Sequence, residues 1–74
     1  MTTKDLLALF DVSTRSKRRK ATAFIIALLE RIRAAEEAYM HRVPQNLQDG
    51  EAFANAEISV DFIVDAIATL GDAY

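Results

Sequence analysis

From residue 51 onward the apolar side chains recur in alternating steps of three and four: Phe53, Ala56, Val60, Ile63, Ile67, Leu70 and Tyr74. An α-helix advances about 100° per residue, so this spacing draws a single stripe along one face. The pattern predicts a helix over 51–73 with an a/d seam sustained for three heptads. Ile58 and Phe62 form a second row beside the seam. Glu57, Asp61 and Asp65 follow at four-residue steps on the other side, with Asp72 a little further on. An earlier stretch has a similar rhythm. Ile25, Leu28, Ile32, Ala35 and Tyr39 mark one face of a helix predicted over 14–42, and Phe24, Ile26 and Leu29 widen that face well beyond a stripe. Ser13 or Ser16 can cap it.

Before this helix, Leu6, Leu7, Leu9 and Phe10 give residues 4–10 an amphipathic character, and Thr3 can cap them, which predicts a short helix over 3–11. Asp11, Val12, Ser13 and Thr14 break the pattern, because Asp, Ser and Thr compete for backbone hydrogen bonds. Pro44 stops the long helix, since it lacks an N–H and drives Val43 out of the α region. Residues 43–50 are then a loop, and Asp49 or Gly50 can begin the last helix, with Glu51 suitably placed in its first turn. The expected fold is all-α, a single domain over 1–74 made of a short N-terminal helix and an antiparallel helical hairpin.

Composition supports this reading and removes others. Seventy-four residues lie near the lower end of what folds as one domain. Apolar residues are 51% and charged residues 27% of the chain, which argues against disorder, and three Gly and Pro in total are too few for an all-β fold. Without cysteine there is no disulfide and no thiolate zinc site. The first residues lack the layout of a secretory leader, and the longest apolar stretch, 21–29, is far short of the roughly 20 residues a bilayer span needs. The expectation is a cytoplasmic protein with no membrane partner.

Charge is unevenly spread. Residues 1–33 hold eight Lys/Arg against three Asp/Glu, net +5, while residues 34–74 hold one against eight, net −7. Folding the hairpin about its loop brings Arg42 level with Glu51, Arg31 and Arg33 near Asp61, and the basic start of the long helix near Asp72. Ion pairing within the hairpin is therefore expected, at about 0–1 kcal/mol per exposed pair. The apolar rows exceed what one partner helix covers. A lone hairpin leaves Phe24, Ile26, Leu29, Ile58 and Phe62 poorly buried, so these five are the candidate oligomer interface. Two hairpins face to face would make a four-helix bundle, which predicts a homo-oligomer, with a dimer favoured.

The stretch Pro44-Gln45-Asn46-Leu47-Gln48, with Lys17-Arg18-Arg19-Lys20 before it and Ala56-Glu57 and Asp65-Ala66-Ile67 after it, resembles a group of short uncharacterised bacterial and phage proteins. Their pattern is a basic start, a helix ending in paired acids, a Pro-Glu-Asn-Leu-Gln turn and an Ala/Glu-rich second helix. Here Gln45 stands for the usual Glu, and Gly50 for a capping Ser. The resemblance spans roughly residues 17–74. It implies a helical hairpin, often encoded on mobile elements, and brings no activity with it.

Catalytic chemistry lacks its parts: no Cys, one His, no Gly-rich loop after a strand. Glu37 and His41 at i,i+4 beside Glu36 do not match the i,i+3 spacing of carboxylate-bridged metal bundles, and His41 suits a solvated position near a helix C-terminus. No catalytic, metal or cofactor site is assigned, and no cofactor is expected. Arg15, Lys17, Arg18, Arg19 and Lys20 are candidate nucleic-acid contacts, being five cations in six positions. No aromatic is interleaved among them for base stacking, so a solvated helix end is the plainer reading. The basic run followed by residues 21–29 also has the look of a surface-binding amphipathic helix, but the apolar block is better read as bundle core. Tyr39 and Tyr74 are read as packing residues, and Asn46 and Gln48 as closing the turn. The leading expectation is a non-enzymatic oligomeric interaction or structural protein whose protein partner the sequence does not specify. The alternative is a small nucleic-acid-binding accessory protein using the basic cluster.

Overall fold

The computed structural model describes residues 11–74, so the short helix expected over 3–11 lies outside the described residues except for Asp11, which is irregular. The described chain is an all-helical hairpin: α1 (Arg15–Arg42), a single 3-10 turn (Gln45–Leu47) and α2 (Glu51–Gly71). α2 ends two residues before the expected 73, at a turn where the Asp72 N–H reaches back to the carbonyls of Ala68 and Thr69, both at 3.2 Å.

Local chemistry sets the ends. Thr14, rather than either serine, caps α1: its Oγ1 accepts the Lys17 N–H at 3.1 Å. Asp11 organises the approach, with Oδ1 accepting the Ser13 N–H at 2.9 Å in an Asx turn. At the other end Val43 turns extended ahead of Pro44, and its N–H still bonds Met40 O at 3.2 Å. The connection is stitched by Leu47 N–H to Pro44 O (2.9 Å) and Gly50 N–H to Leu47 O (3.1 Å). Gln48 Nε2 donates to Val43 O at 3.4 Å, closing the turn across its base. Gly50 caps α2 without a side chain, and a Cβ there would sit 3.1 Å from Leu47 O. That close approach is a physical reason for glycine where a capping serine would otherwise serve.

α2 turns the predicted seam inward. Phe53, Val60, Ile63, Ile67 and Leu70 are half-buried, and Ala56, 5% exposed, is the only fully buried residue among those described. On α1 the outcome differs from the pattern. The half-buried row is Thr22, Ile26, Leu29, Arg33, Glu36 and Met40, while Ile25, Leu28, Ile32 and Tyr39 are exposed. The helix is thus rotated by about one residue from the expected seam. The apolar arc of α1 is wider than one helix can cover, and α2 takes one edge of it. Arg33 can line that edge because its guanidinium is held between Glu30 (2.6 Å) and Glu37 (3.1 Å) on its own helix while its stem lies along the interface.

The expected ion pairs between the arms do not form. All three salt bridges among the described residues are local: Lys17–Asp11, Arg33–Glu30 and Arg33–Glu37. Opposite charge along the arms does not set the register; apolar contact and the Pro44 turn do. Since Ala56 is the tightest point between the helices, Ala56→Leu is expected to cost about 1–3 kcal/mol through overpacking. Ala54→Leu, on an exposed position of the same helix, should stay within about 0.5 kcal/mol. Urea unfolding followed by circular dichroism checks both.

Candidate functional site

Helical geometry sorts the exposed side chains onto two broad faces. Taking the half-buried row of each helix as its zero, Ile25, Leu28, Ile32 and Tyr39 lie about 60–120° to one side on α1. Phe62 and Ala66 lie about 80–120° to the same rotational side on α2. Because the helices run antiparallel, equal rotation in the same sense brings both groups onto the same broad face of the hairpin. This face is apolar. Phe62 is 70% exposed, Leu28 48% and Ile32 43%. The α1 half of the face is built of large side chains. The α2 half, apart from Phe62, is built of small ones: Ala52, Asn55, Ser59, Ala66 and Ala73.

The opposite broad face is mostly small and polar, with Ala23, Ala27 and Ala34 on α1 and Glu57, Asp61 and Ala68 on α2, and Val64, 45% exposed, is its large apolar side chain. Of the five candidate interface residues, Phe24, Ile58 and Phe62 are exposed, whereas Ile26 and Leu29 are half-buried in the row that faces α2. Ile25, Leu28, Ile32 and Tyr39, assigned to the hairpin seam from the pattern, take their place on the exposed face. The one-residue rotation of α1 is not visible in periodicity, because both rows recur with the same spacing. What distinguishes them is Arg33, whose helical neighbours Glu30 and Glu37 neutralise it within the interface.

A cleft of about 460 Å3 opens at the turn end, between Tyr39, Arg42, Val43, Leu47 and Phe53. Its walls are mainly apolar and continuous with the broad face. At the other end the five cations of the basic cluster are all exposed. Three of them serve the local structure. Lys17 pairs with Asp11 at 2.7 Å, Arg18 Nη1 donates to Val12 O at 3.0 Å, and the Arg15 guanidinium lies 4.9 Å from the centre of the Tyr74 ring. This last contact joins the two helices at the open end of the hairpin. Arg19 and Lys20 make no ion pair with another described residue.

No group of three or more His, Asp or Glu among the described residues is arranged to hold a metal ion, and the Glu37 carboxylate is bonded to Arg33. No helix among them is long and apolar enough to cross a membrane. Comparison with family models, curated proteins and solved structures finds no match to this chain.

The Asp11 carboxylate is held well below its ordinary value of 3.8, first by the hydrogen bond from Lys17 and then by those from Ser13. A carboxylate whose pKa is depressed in the folded state stabilises that state above its unfolded pKa and loses the contribution as pH falls toward the folded value. Asp11→Ala should therefore be less stable than the wild type near neutral pH, with the gap narrowing as pH drops below 3.8. Thermal melts at neutral pH and at acid pH measure the gap.

Proposed function

We propose that this chain is a non-enzymatic structural or interaction protein that works as a homo-oligomeric helical bundle. The observation that carries this reading is the exposed apolar face of a described hairpin in which only Ala56, 5% exposed, is buried. Folded domains stack at least two layers around a core. The described hairpin is two helices side by side, a single layer. Contiguous apolar surface rimmed by charge marks an association site in small soluble proteins. Chains this short without disulfides or metals commonly gain their core by assembly.

A second reading, nucleic-acid binding through the basic cluster, is favoured by the exposed Arg19 and Lys20, placed at a helix N-terminus where positive charge does not help the helix. It is the weaker of the two, because Lys17 and Arg18 are engaged by Asp11 and Val12 ahead of α1, and Arg15 by the Tyr74 ring.

Sedimentation at micromolar concentration should give a dimer mass or higher, and the thermal midpoint should rise with protein concentration, as mass action requires. A monomer with a concentration-independent midpoint overturns the proposal. Retention of mixed-sequence DNA at low salt, lost on Arg19→Glu with Lys20→Glu and steeply weakened by added salt, would promote the second reading.

A further inference from the structure

The broad face also carries information about how its partner sits. Its two long margins differ in charge. Along the outer edge of α1 lie Lys20, Arg31 and Arg42, and along the outer edge of α2 lie Glu51, Asp65 and Asp72. None of these six makes an ion pair among the described residues. The two halves also differ in bulk. Leu28, Ile32 and Tyr39 stand over the α1 half, while Ser59 and Ala66 leave the α2 half low on either side of Phe62.

We infer that the occupant of this face is a second copy of the chain, related by a two-fold axis parallel to the helices, so that α1 of each copy packs on α2 of the other. This rests on the oligomeric reading above and specifies it. Two hairpins stacked face to face can be related by a two-fold axis along the helices or across them. An axis across the helices sets α1 on α1: cations meet cations, acids meet acids, large rows meet large rows and small rows meet small rows. An axis along the helices sets α1 on the partner's α2. Each basic margin then lies over an acidic one, and each row of large side chains lies over a row of small ones broken by Phe62, which comes level with Leu28 and Ile32 of the other copy.

The levels agree as well. This operation keeps height along the bundle, so Arg42 comes level with Glu51 of the partner subunit, Arg31 with the neighbourhood of the partner's Asp65, and Lys20 with the partner's Asp72. Every nearest-neighbour pair of helices in the resulting four-helix bundle is antiparallel.

Charge reversal tests the arrangement on the full chain. One variant carries Lys20→Glu, Arg31→Glu and Arg42→Glu; a second carries Glu51→Lys, Asp65→Lys and Asp72→Lys; a third carries all six. Each three-residue variant should homodimerise about tenfold or more weakly at low salt, with the loss shrinking in high salt. Mixing the two should recover dimer as a heterodimer, and the six-residue variant should recover it alone. Circular dichroism confirms that each variant is helical, and the milder Arg31→Gln with Arg42→Gln should weaken the dimer in the same direction. A wild-type dimer whose affinity none of the single-margin variants changes overturns the arrangement while leaving the oligomeric reading standing. A monomeric wild type overturns both.

Discussion

Two helices lying side by side make one layer, and one layer has no inside. Each helix can hide only the strip that meets its neighbour, and all else faces solvent on one broad side or the other. In this chain the strip holds Ile26, Leu29 and Met40 of α1 against Phe53, Ala56, Val60, Ile63, Ile67 and Leu70 of α2, and only Ala56 is fully covered. Of the remaining large apolar side chains, Ile25, Leu28, Ile32, Tyr39 and Phe62 gather on one broad face, while Phe24 and Ile58 lie along the outer edges and Val64 on the other face, among alanine and acid. That segregation is what a helical layer needs in order to become half of a two-layer domain.

Charge is arranged with the same economy. Within α1, Arg33 bridges Glu30 and Glu37, and at its start Lys17 binds Asp11, so the local network is closed. Hydrogen bonds and charge from Glu30 and then Glu37 hold the Arg33 guanidinium even more firmly protonated than usual, which allows a cation to line a helix–helix contact. The cations and acids on the outer margins form no ion pair among the described residues. A hairpin whose margins are opposite in sign is self-complementary about an axis along its length, and about no axis across it.

The all-helical hairpin was legible because its signals are strong and local: Pro44, the three- and four-residue steps of α2, and the absence of breakers inside either helix. The seam of α2 could be read directly because a single stripe is apolar there. The seam of α1 could not. Its apolar arc is wide enough for two rows, Ile26–Leu29 and Ile25–Leu28–Ile32, and periodicity treats them alike. The choice fell to a side chain that binary patterning counts as polar, Arg33, together with the two glutamates that flank it in space. Pairing of charge across the hairpin was inferred from levels along the two axes alone. Rotation about those axes sends Arg31 to an outer margin and Asp61 to the small polar face, and Arg33 pairs with Glu30 and Glu37 on its own helix. Of the five candidate interface residues, Ile26 and Leu29 belong to the hairpin itself, while Phe24, Ile58 and Phe62 stay exposed.

With the face, its margins and its bulk pattern fixed, the central claim is that Ile32 and Leu28 of one copy lie against Phe62 of another. Isotope-filtered nuclear Overhauser spectroscopy on a mixture of labelled and unlabelled protein reads this contact directly. The account predicts intermolecular cross-peaks from the Leu28 and Ile32 methyl groups to the Phe62 ring. Filtered spectra in which those methyls show no intermolecular contact, or in which the contacts arise from the Ala27 and Ala68 side of the hairpin, would contradict it.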